Sequence, residues 1–184
     1  MGKQYQGLAE DHIEFISNQK IFFVGTAAPE TRVNISPKGM DTLRIINRNR
    51  VVWLNVTGSG NETSAHVQKD PRMTLMFCAF EGHPLILRLY GRASVIHRKD
   101  AEWDMLSPLF SLPGARQIFD LSIDLVQTSC GMGVPHFAYE GEREELNHWA
   151  EKKGEAGLRR YWEEKNRISI DGLPTRIIEK NLEP

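Results

Sequence analysis

The apolar residues in the first two thirds of the chain follow the spacing of β-strands. Residues 32–36 and 118–126 alternate apolar with polar or small residues, whereas residues 21–26 form a continuous apolar run. Alternation is typical of a strand with one buried face, and a continuous run is typical of a strand covered on both faces. We therefore expect Val33 and Ile35 to face the core.

Further strand patterns complete a mainly β fold. Residues 51–57, 73–80 and 85–96 each predict a strand, and residues 43–46 predict a short one. The short connection at residues 81–84 predicts a hairpin. Because few helices separate the strands, about six of them are expected to form an antiparallel barrel around one core.

Helical patterns flank these strands. They occur at residues 8–18, 62–69, 101–109 and 143–165. Asp100 is a suitable N-cap for the third helix, and Gly154 and Gly157 are expected to divide the fourth. We expect a single domain over residues 1–184, in which residues 130–184 form a helical C-terminal extension.

Composition excludes several functional classes. The formal net charge is −1, so the chain lacks the basic surface needed for bulk binding to nucleic acid or anionic membranes. The first residues lack a secretory pattern, and no apolar run is long enough to cross a bilayer, so we expect a cytoplasmic protein. The two cysteines and the histidines lack metal-site spacing, and Cys130 is expected to be buried.

The most informative segment is residues 55–66, where a strand runs through a glycine-rich loop into a helix. Gly58 and Gly60 would let the backbone approach a ligand closely, and the free N–H groups of the helix start can hold a phosphate. Neutral donors nearby are Asn61, Thr63 and Ser64.

A structural explanation competes with the phosphate site. Ser59 and Glu62 have the spacing of a capping box, and the Glu62 carboxylate would repel an anion. On the residues alone, a capped helix is favoured over a phosphate site.

Two strands carry further candidates. On residues 32–36 the polar side chains of Arg32, Asn34 and Ser36 share one face, with Lys38 just beyond, although a solvated outer face explains them equally simply. On the strand at residues 85–96, Arg88 and Tyr90 project from an otherwise aliphatic run, so they are expected to meet a ligand or a carboxylate of another subunit.

The runs RVNISPKG, VVWLNVTGSGNETSAHVQKDPRMTLMF and LRLYGRA, in this order, resemble the pyridoxamine 5′-phosphate oxidase-like FMN-binding split barrels. The resemblance extends over residues 11–126. It implies a six-stranded antiparallel split β-barrel that works as a homodimer, with FMN between the protomers. It also implies that residues 32–36 flank the isoalloxazine and ribityl, and that residues 56–66 hold the phosphate.

The resemblance also supplies a set of expected FMN-binding residues. These are Arg32, Val33, Asn34, Ser36, Lys38, Val56, Thr57, Asn61, Thr63, Ser64 and Arg88. No catalytic residue is assigned, because a flavin carries the redox chemistry itself.

Two departures separate the chain from oxidases that make pyridoxal phosphate. Thr63 and Ser64 stand where those enzymes have an Arg-Lys pair, and their C-terminal R-L-H-D-R-like run is missing. The tail instead contains SCGMGVPHFAYEGER and NRISIDGLP, which resemble an uncharacterised branch. We therefore expect an FMN-dependent oxidoreductase acting on a small molecule. The alternatives are a non-catalytic flavin-binding or sensing module, or a split barrel that binds deazaflavin or haem.

Overall fold

The computed structural model describes residues 2–182, and antiparallel β-structure dominates it. The strands are β1 (Lys3–Tyr5), β2 (Phe22–Thr26), β3 (Asn34–Lys38), β4 (Leu43–Asn47), β5 (Arg50–Val56), β6 (Arg72–Cys78), β7 (Ile86–Ile96) and β8 (Ala115–Ser129). The helices are α1 (Glu10–Asn18), α2 (Glu62–Lys69), α3 (Trp103–Leu106), α4 (Glu145–Lys165) and α5 (Ile177–Asn181), with a 3₁₀ turn at Ser107–Leu109.

All strand pairs are antiparallel, in the order β3-β2-β6-β7-β8-β5-β4, and β1 pairs with the far end of β8. This confirms the mainly β fold with flanking helices and the hairpin of β6 and β7. The described residues contain eight strands where about six were expected. The extra strand β1 has only three residues and no apolar alternation, so its pattern gave no signal.

The core lies inside the curled sheet. Val24, Trp53, Leu75, Leu89 and Phe119 are fully buried there. Trp53 of β5 stacks on Phe119 of β8 with ring centroids 4.5 Å apart, which joins the two strands on their inner face. Gly91 marks a register shift between β7 and β8, where a Cβ would lie 2.0 Å from the Ser122 carbonyl oxygen.

The expected orientation of the strand at residues 32–36 is wrong. The strand is Asn34–Lys38, and Val33 and Ile35 are 70% and 68% exposed. β3 is an edge strand, which also accommodates Pro37. Its inner face meets the polar loop after β5 rather than the apolar core, so Asn34, Ser36 and Lys38 point inward.

Three other local expectations need correction. β2 is not covered on both faces, because Phe23 and Gly25 remain half-buried while their neighbours are buried. The helix at residues 101–109 is one turn, α3, followed by the 3₁₀ turn. Asp100 does not cap it: the carboxylate accepts a hydrogen bond from the His97 N–H, 2.8 Å away.

After β8 the chain returns to the barrel through α4 and α5. Gly154 breaks the helical geometry of α4 with φ 60° and ψ 174°, as expected, whereas Gly157 stays helical and buried. Ala150, Leu158, Trp162 and Ile177 form a separate small core. Cys130, expected to be buried, is exposed.

Within residues 2–182, no helix combines the length and the apolar character that crossing a bilayer requires.

Candidate functional site

A polar cavity of about 250 Å³ opens between β3, the end of β5 and the start of α2. Its walls include Asn34, Ser36 and Lys38 from β3, and Asn61 and Thr63 from the start of α2. The loop at residues 58–60 closes one side. The polar face of β3 and the glycine-rich loop, which lie far apart in the sequence, therefore meet at one site.

The fully buried guanidinium of Arg116, at the start of β8, holds the loop. It donates to the carbonyl oxygens of Gly58 and Gly60, at 3.3 and 3.0 Å. The N–H and C=O of a trans peptide point in opposite directions. The N–H groups of Ser59 and Asn61 therefore point away from Arg116, and neither has a hydrogen-bond partner among the described residues.

The start of α2 leaves more polar groups without partners. The Asn61 side chain is 3% exposed, and neither its nitrogen nor its oxygen has a partner within the described part of the chain. The buried Ser36 hydroxyl also lacks one. Buried polar groups in folded proteins are nearly always hydrogen-bonded, so these atoms indicate a bound polar molecule or water.

The expected capping box does not form. Asn61, not Ser59, is the N-cap, and no side chain caps the helix. The Glu62 carboxylate instead accepts a hydrogen bond from the Ile170 N–H at 3.0 Å. The first N–H groups of α2 are thus not satisfied by a side-chain cap.

Two cations belong to the cavity. In residues 2–182, neither Lys38 nor Arg116 has a carboxylate within 4.0 Å. Burial, followed by the charge of Arg116, lowers the pKa of Lys38 to about 8. Burial also lowers the pKa of Arg116. The Lys38 ammonium lies 5.3 Å from the centre of the Trp53 ring, a favourable but partial compensation.

Six of the expected FMN-binding residues line this cavity. They are Asn34, Ser36, Lys38, Val56, Asn61 and Thr63. Asn34 donates to the Thr63 hydroxyl at 3.2 Å, which ties β3 to α2 across the cavity.

The other five expected residues lie elsewhere. Arg32 pairs with Asp171, and Val33 points to solvent. The Thr57 and Ser64 hydroxyls lie behind the cavity and donate to the carbonyl oxygens of Gly114 and Thr175. Arg88 lies on β7, where it donates to the Ser129 hydroxyl at 3.1 Å, and Tyr90 donates to Gln127.

The sequence interpretation missed Arg116 and Asn166. Arg116 carries a signal, since it is a charged residue at the entry to a long apolar strand. Asn166 has no such signal, because it follows a charged helix. Together these side chains and the loop form a small, positively charged site whose free groups are suited to an anion with several oxygen atoms.

The fold and the cavity together define a protein of the split-barrel class with a polar, cation-lined site at a helix start. The family model described as pyridoxamine 5′-phosphate oxidase matches residues 8–130. The chain belongs to this family. Residues after 130 lie outside the match.

Known proteins show the same relationship. The pyridoxamine 5′-phosphate oxidase family protein ustO of Aspergillus flavus is 35% identical over 191 residues, which cover 92% of this chain and 76% of that protein. A pyridoxamine 5′-phosphate oxidase candidate from Lactobacillus delbrueckii has a similar fold, with a TM-score of 0.56 and 17% identity over 66% of this chain and 94% of its own. HupZ from Group A Streptococcus is similar at 0.53, with 15% identity over 66% and 98%.

Replacing Lys38 with Met should stabilise the protein without ligand. The lowered pKa means that the unfolded chain binds the Lys38 proton more tightly than the folded chain, so the buried charge destabilises the fold below about pH 8. We expect Lys38→Met to raise the free energy of unfolding at pH 7 by about 2 kcal/mol, allowing for partial solvent screening.

This gain should shrink as the pH rises from about 8, and it should vanish above the ordinary lysine pKa of 10.5. Urea unfolding at several pH values measures it, with Lys20→Met as the control because Lys20 is an exposed cation. A Lys38→Met variant that is less stable at pH 7 would contradict this assignment.

Proposed function

We propose that the chain is an FMN-binding flavoprotein and that the cavity holds the FMN phosphate. The observation that carries this proposal is the pair of buried cations, Lys38 and Arg116, which lack a carboxylate partner in the described chain and face an unsatisfied helix start. A buried charge without a partner is costly, so such a pair is expected where a ligand supplies the opposite charge.

The remaining polar groups fit the rest of such a ligand. The partnerless atoms of Asn61 and Ser36 can bond phosphate or ribityl oxygens, which both donate and accept through their hydroxyl groups. The cavity volume of about 250 Å³ is below that of a pocket enclosing a whole drug-sized ligand. It suits the phosphate end, which leaves the flavin ring to lie beyond it.

In this proposal Lys38 and Arg116 replace the Arg-Lys pair whose positions Thr63 and Ser64 occupy. Thr63 lies at the cavity wall and offers a hydroxyl to the ligand, while Ser64 supports α2 from behind. The proposed cofactor contacts are therefore Asn34, Ser36, Lys38, Asn61, Thr63 and Arg116.

Bound FMN would supply hydride and electron transfer, and the protein would position the ring and tune it through hydrogen bonds. The chain's own residues neutralise the phosphate charge, hold the ribityl end and keep water from the buried cations. The family relationship and the polar cavity favour an oxidoreductase acting on a small molecule. The second candidate, favoured by the lack of an assigned catalytic residue, is a non-catalytic flavin-binding or sensing module.

The proposal includes a homodimer. Edge strand β3 exposes Val33 and Ile35, which line an open, largely apolar groove of about 560 Å³ with Phe23, Met76 and Tyr90. An apolar groove along an edge strand is a suitable surface for a second copy. Such a contact would bring the partner's surface close to the cavity on the inner face of the same strand.

FMN should bind at least about 100-fold more tightly than riboflavin, because charge-assisted hydrogen bonds to the phosphate account for the difference. Lys38→Met should weaken FMN roughly tenfold or more and leave riboflavin unchanged. FMN affinity should also fall above about pH 8, where Lys38 loses its proton. Flavin fluorescence titration measures all three effects, with Lys20→Met as the charge-matched control. Equal affinities for FMN and riboflavin would exclude the phosphate site.

Ile35→Asp should convert the dimer to a monomer, because it places a carboxylate in an apolar contact. Light scattering after gel filtration should give about twice 21.0 kDa for the natural sequence and 21.0 kDa for the variant. Met105→Asp, at another residue that is 70% exposed, should remain dimeric. A natural chain that runs as a monomer at every concentration would contradict the dimer.

Reduction separates the enzyme from the binding module. We expect NADH or NADPH to bleach the FMN absorption of the loaded protein under anaerobic conditions, and an added acceptor to restore it repeatedly. A flavin that stays bound but never cycles with either donor would leave the binding module as the function. A preparation that takes up haem or a deazaflavin in preference to FMN would overturn the cofactor assignment.

A further inference from the structure

The segment after β8, residues 131–182, forms part of the cavity wall. It lies outside the family match, which ends at residue 130. It nevertheless contacts the loop at residues 58–60, the helix α2 and the residue before β3 through hydrogen bonds described below. The segment thus reaches three of the elements that surround the proposed phosphate site.

Asn166 makes the contact with the loop. Its side-chain nitrogen donates to the carbonyl oxygens of Gly58 and Ser59, at 3.0 and 3.3 Å. Its oxygen accepts a hydrogen bond from the Arg116 guanidinium at 2.8 Å. Asn166 is fully buried, and Arg116 also donates to the Gly60 carbonyl oxygen, so the three successive loop carbonyls are all bonded.

Trp162 fixes the start of the same loop. Its indole N–H donates to the Thr57 hydroxyl at 2.8 Å, and that hydroxyl donates to the Gly114 carbonyl oxygen at 2.8 Å. Trp162 is fully buried in the small core of α4 and α5. The position of Thr57 is therefore tied to the packing of the C-terminal segment.

The helix α2 is held in the same way. The Thr175 carbonyl oxygen accepts hydrogen bonds from Ser64 and Gln68, at 3.2 and 2.9 Å. The Ile170 N–H donates to Glu62, which draws that carboxylate toward the C-terminal segment. Asp171 pairs with Arg32 beside β3.

These bonds decide which way the loop peptides face. A loop rich in glycine can rotate its peptides at little cost, and a rotated peptide would present a carbonyl oxygen, with its negative partial charge, to an anion. Bonds from Asn166 and Arg116 hold all three carbonyls on the side away from the free N–H groups.

We propose that Asn166 and Trp162 are positioning residues that keep the loop in its anion-binding conformation, so that the C-terminal segment is required for tight FMN binding although it does not touch the flavin. This inference rests on the proposed function. It assigns a role to a segment that the family match does not include.

The test compares two buried asparagines of the C-terminal segment. Asn166→Ala removes the bonds to the loop carbonyls. Asn181→Ala is the matched control, because Asn181 is also buried and also donates to a backbone carbonyl, that of Arg116 at 2.8 Å, while accepting from the Arg98 N–H. Both variants delete one amide of the same size, and only the first deletes bonds to residues 58–60.

We expect Asn166→Ala to weaken FMN by roughly 10- to 30-fold, as fits the loss of two or three hydrogen bonds that order the loop. Asn181→Ala should change the FMN dissociation constant less than threefold. Thermal unfolding of both apoproteins checks that they are folded. Equal effects of the two variants on FMN affinity would overturn the proposal.

A second readout needs no flavin. Amide hydrogen exchange of the apoprotein over residues 57–63 should be faster in Asn166→Ala than in Asn181→Ala, because only the first variant frees the loop. Trp162→Phe, which removes only the indole N–H, should accelerate the same amides, whereas Trp149→Phe in the same helix should not. Should Asn166→Ala fail to fold, this tryptophan pair decides the question.

The readouts separate the two levels of the proposal. A natural protein that binds no FMN refutes the proposed function and the cofactor role of the segment, even if the loop exchanges faster in the variant. A natural protein that binds FMN, with unchanged loop exchange and affinity in Asn166→Ala and Trp162→Phe, refutes the positioning role alone.

Discussion

The structure depends on how a fully buried arginine is satisfied. Arg116 enters the interior with the first residues of β8, where no carboxylate of the described chain meets it, so its donors go to carbonyl and amide oxygens. These acceptors belong to the loop after β5 and to Asn166 of the C-terminal segment. One guanidinium thus joins the barrel, the glycine-rich loop and the C-terminal helices.

The same interaction explains the electrostatics of the cavity. Hydrogen bonds to neutral oxygens satisfy the donors of Arg116 but do not cancel its charge, and the nearby Lys38 therefore has a lowered pKa. The fold keeps two like charges in one cavity at a cost to stability. Such a cost is expected where binding requires it, and the proposed FMN phosphate would provide the opposite charge.

The strand patterns and the family resemblance predicted most of the barrel and much of the cavity. Apolar alternation locates β8, but it failed for β3, because the inner face of this edge strand covers a polar loop rather than the core. Asn34, Ser36 and Lys38 were nevertheless grouped correctly, since alternation fixes which residues share a face, whichever way it points. The contribution of Asn166 depends on a contact between residues 108 positions apart, which no local pattern encodes.

The most direct test is a crystal structure of the protein grown with FMN. The account predicts phosphate density in the cavity, within hydrogen-bond distance of the Lys38 ammonium and of the N–H groups at the start of α2. FMN bound with its phosphate away from Lys38 and Arg116, or a cavity that holds only water while FMN is present at saturating concentration, would contradict it.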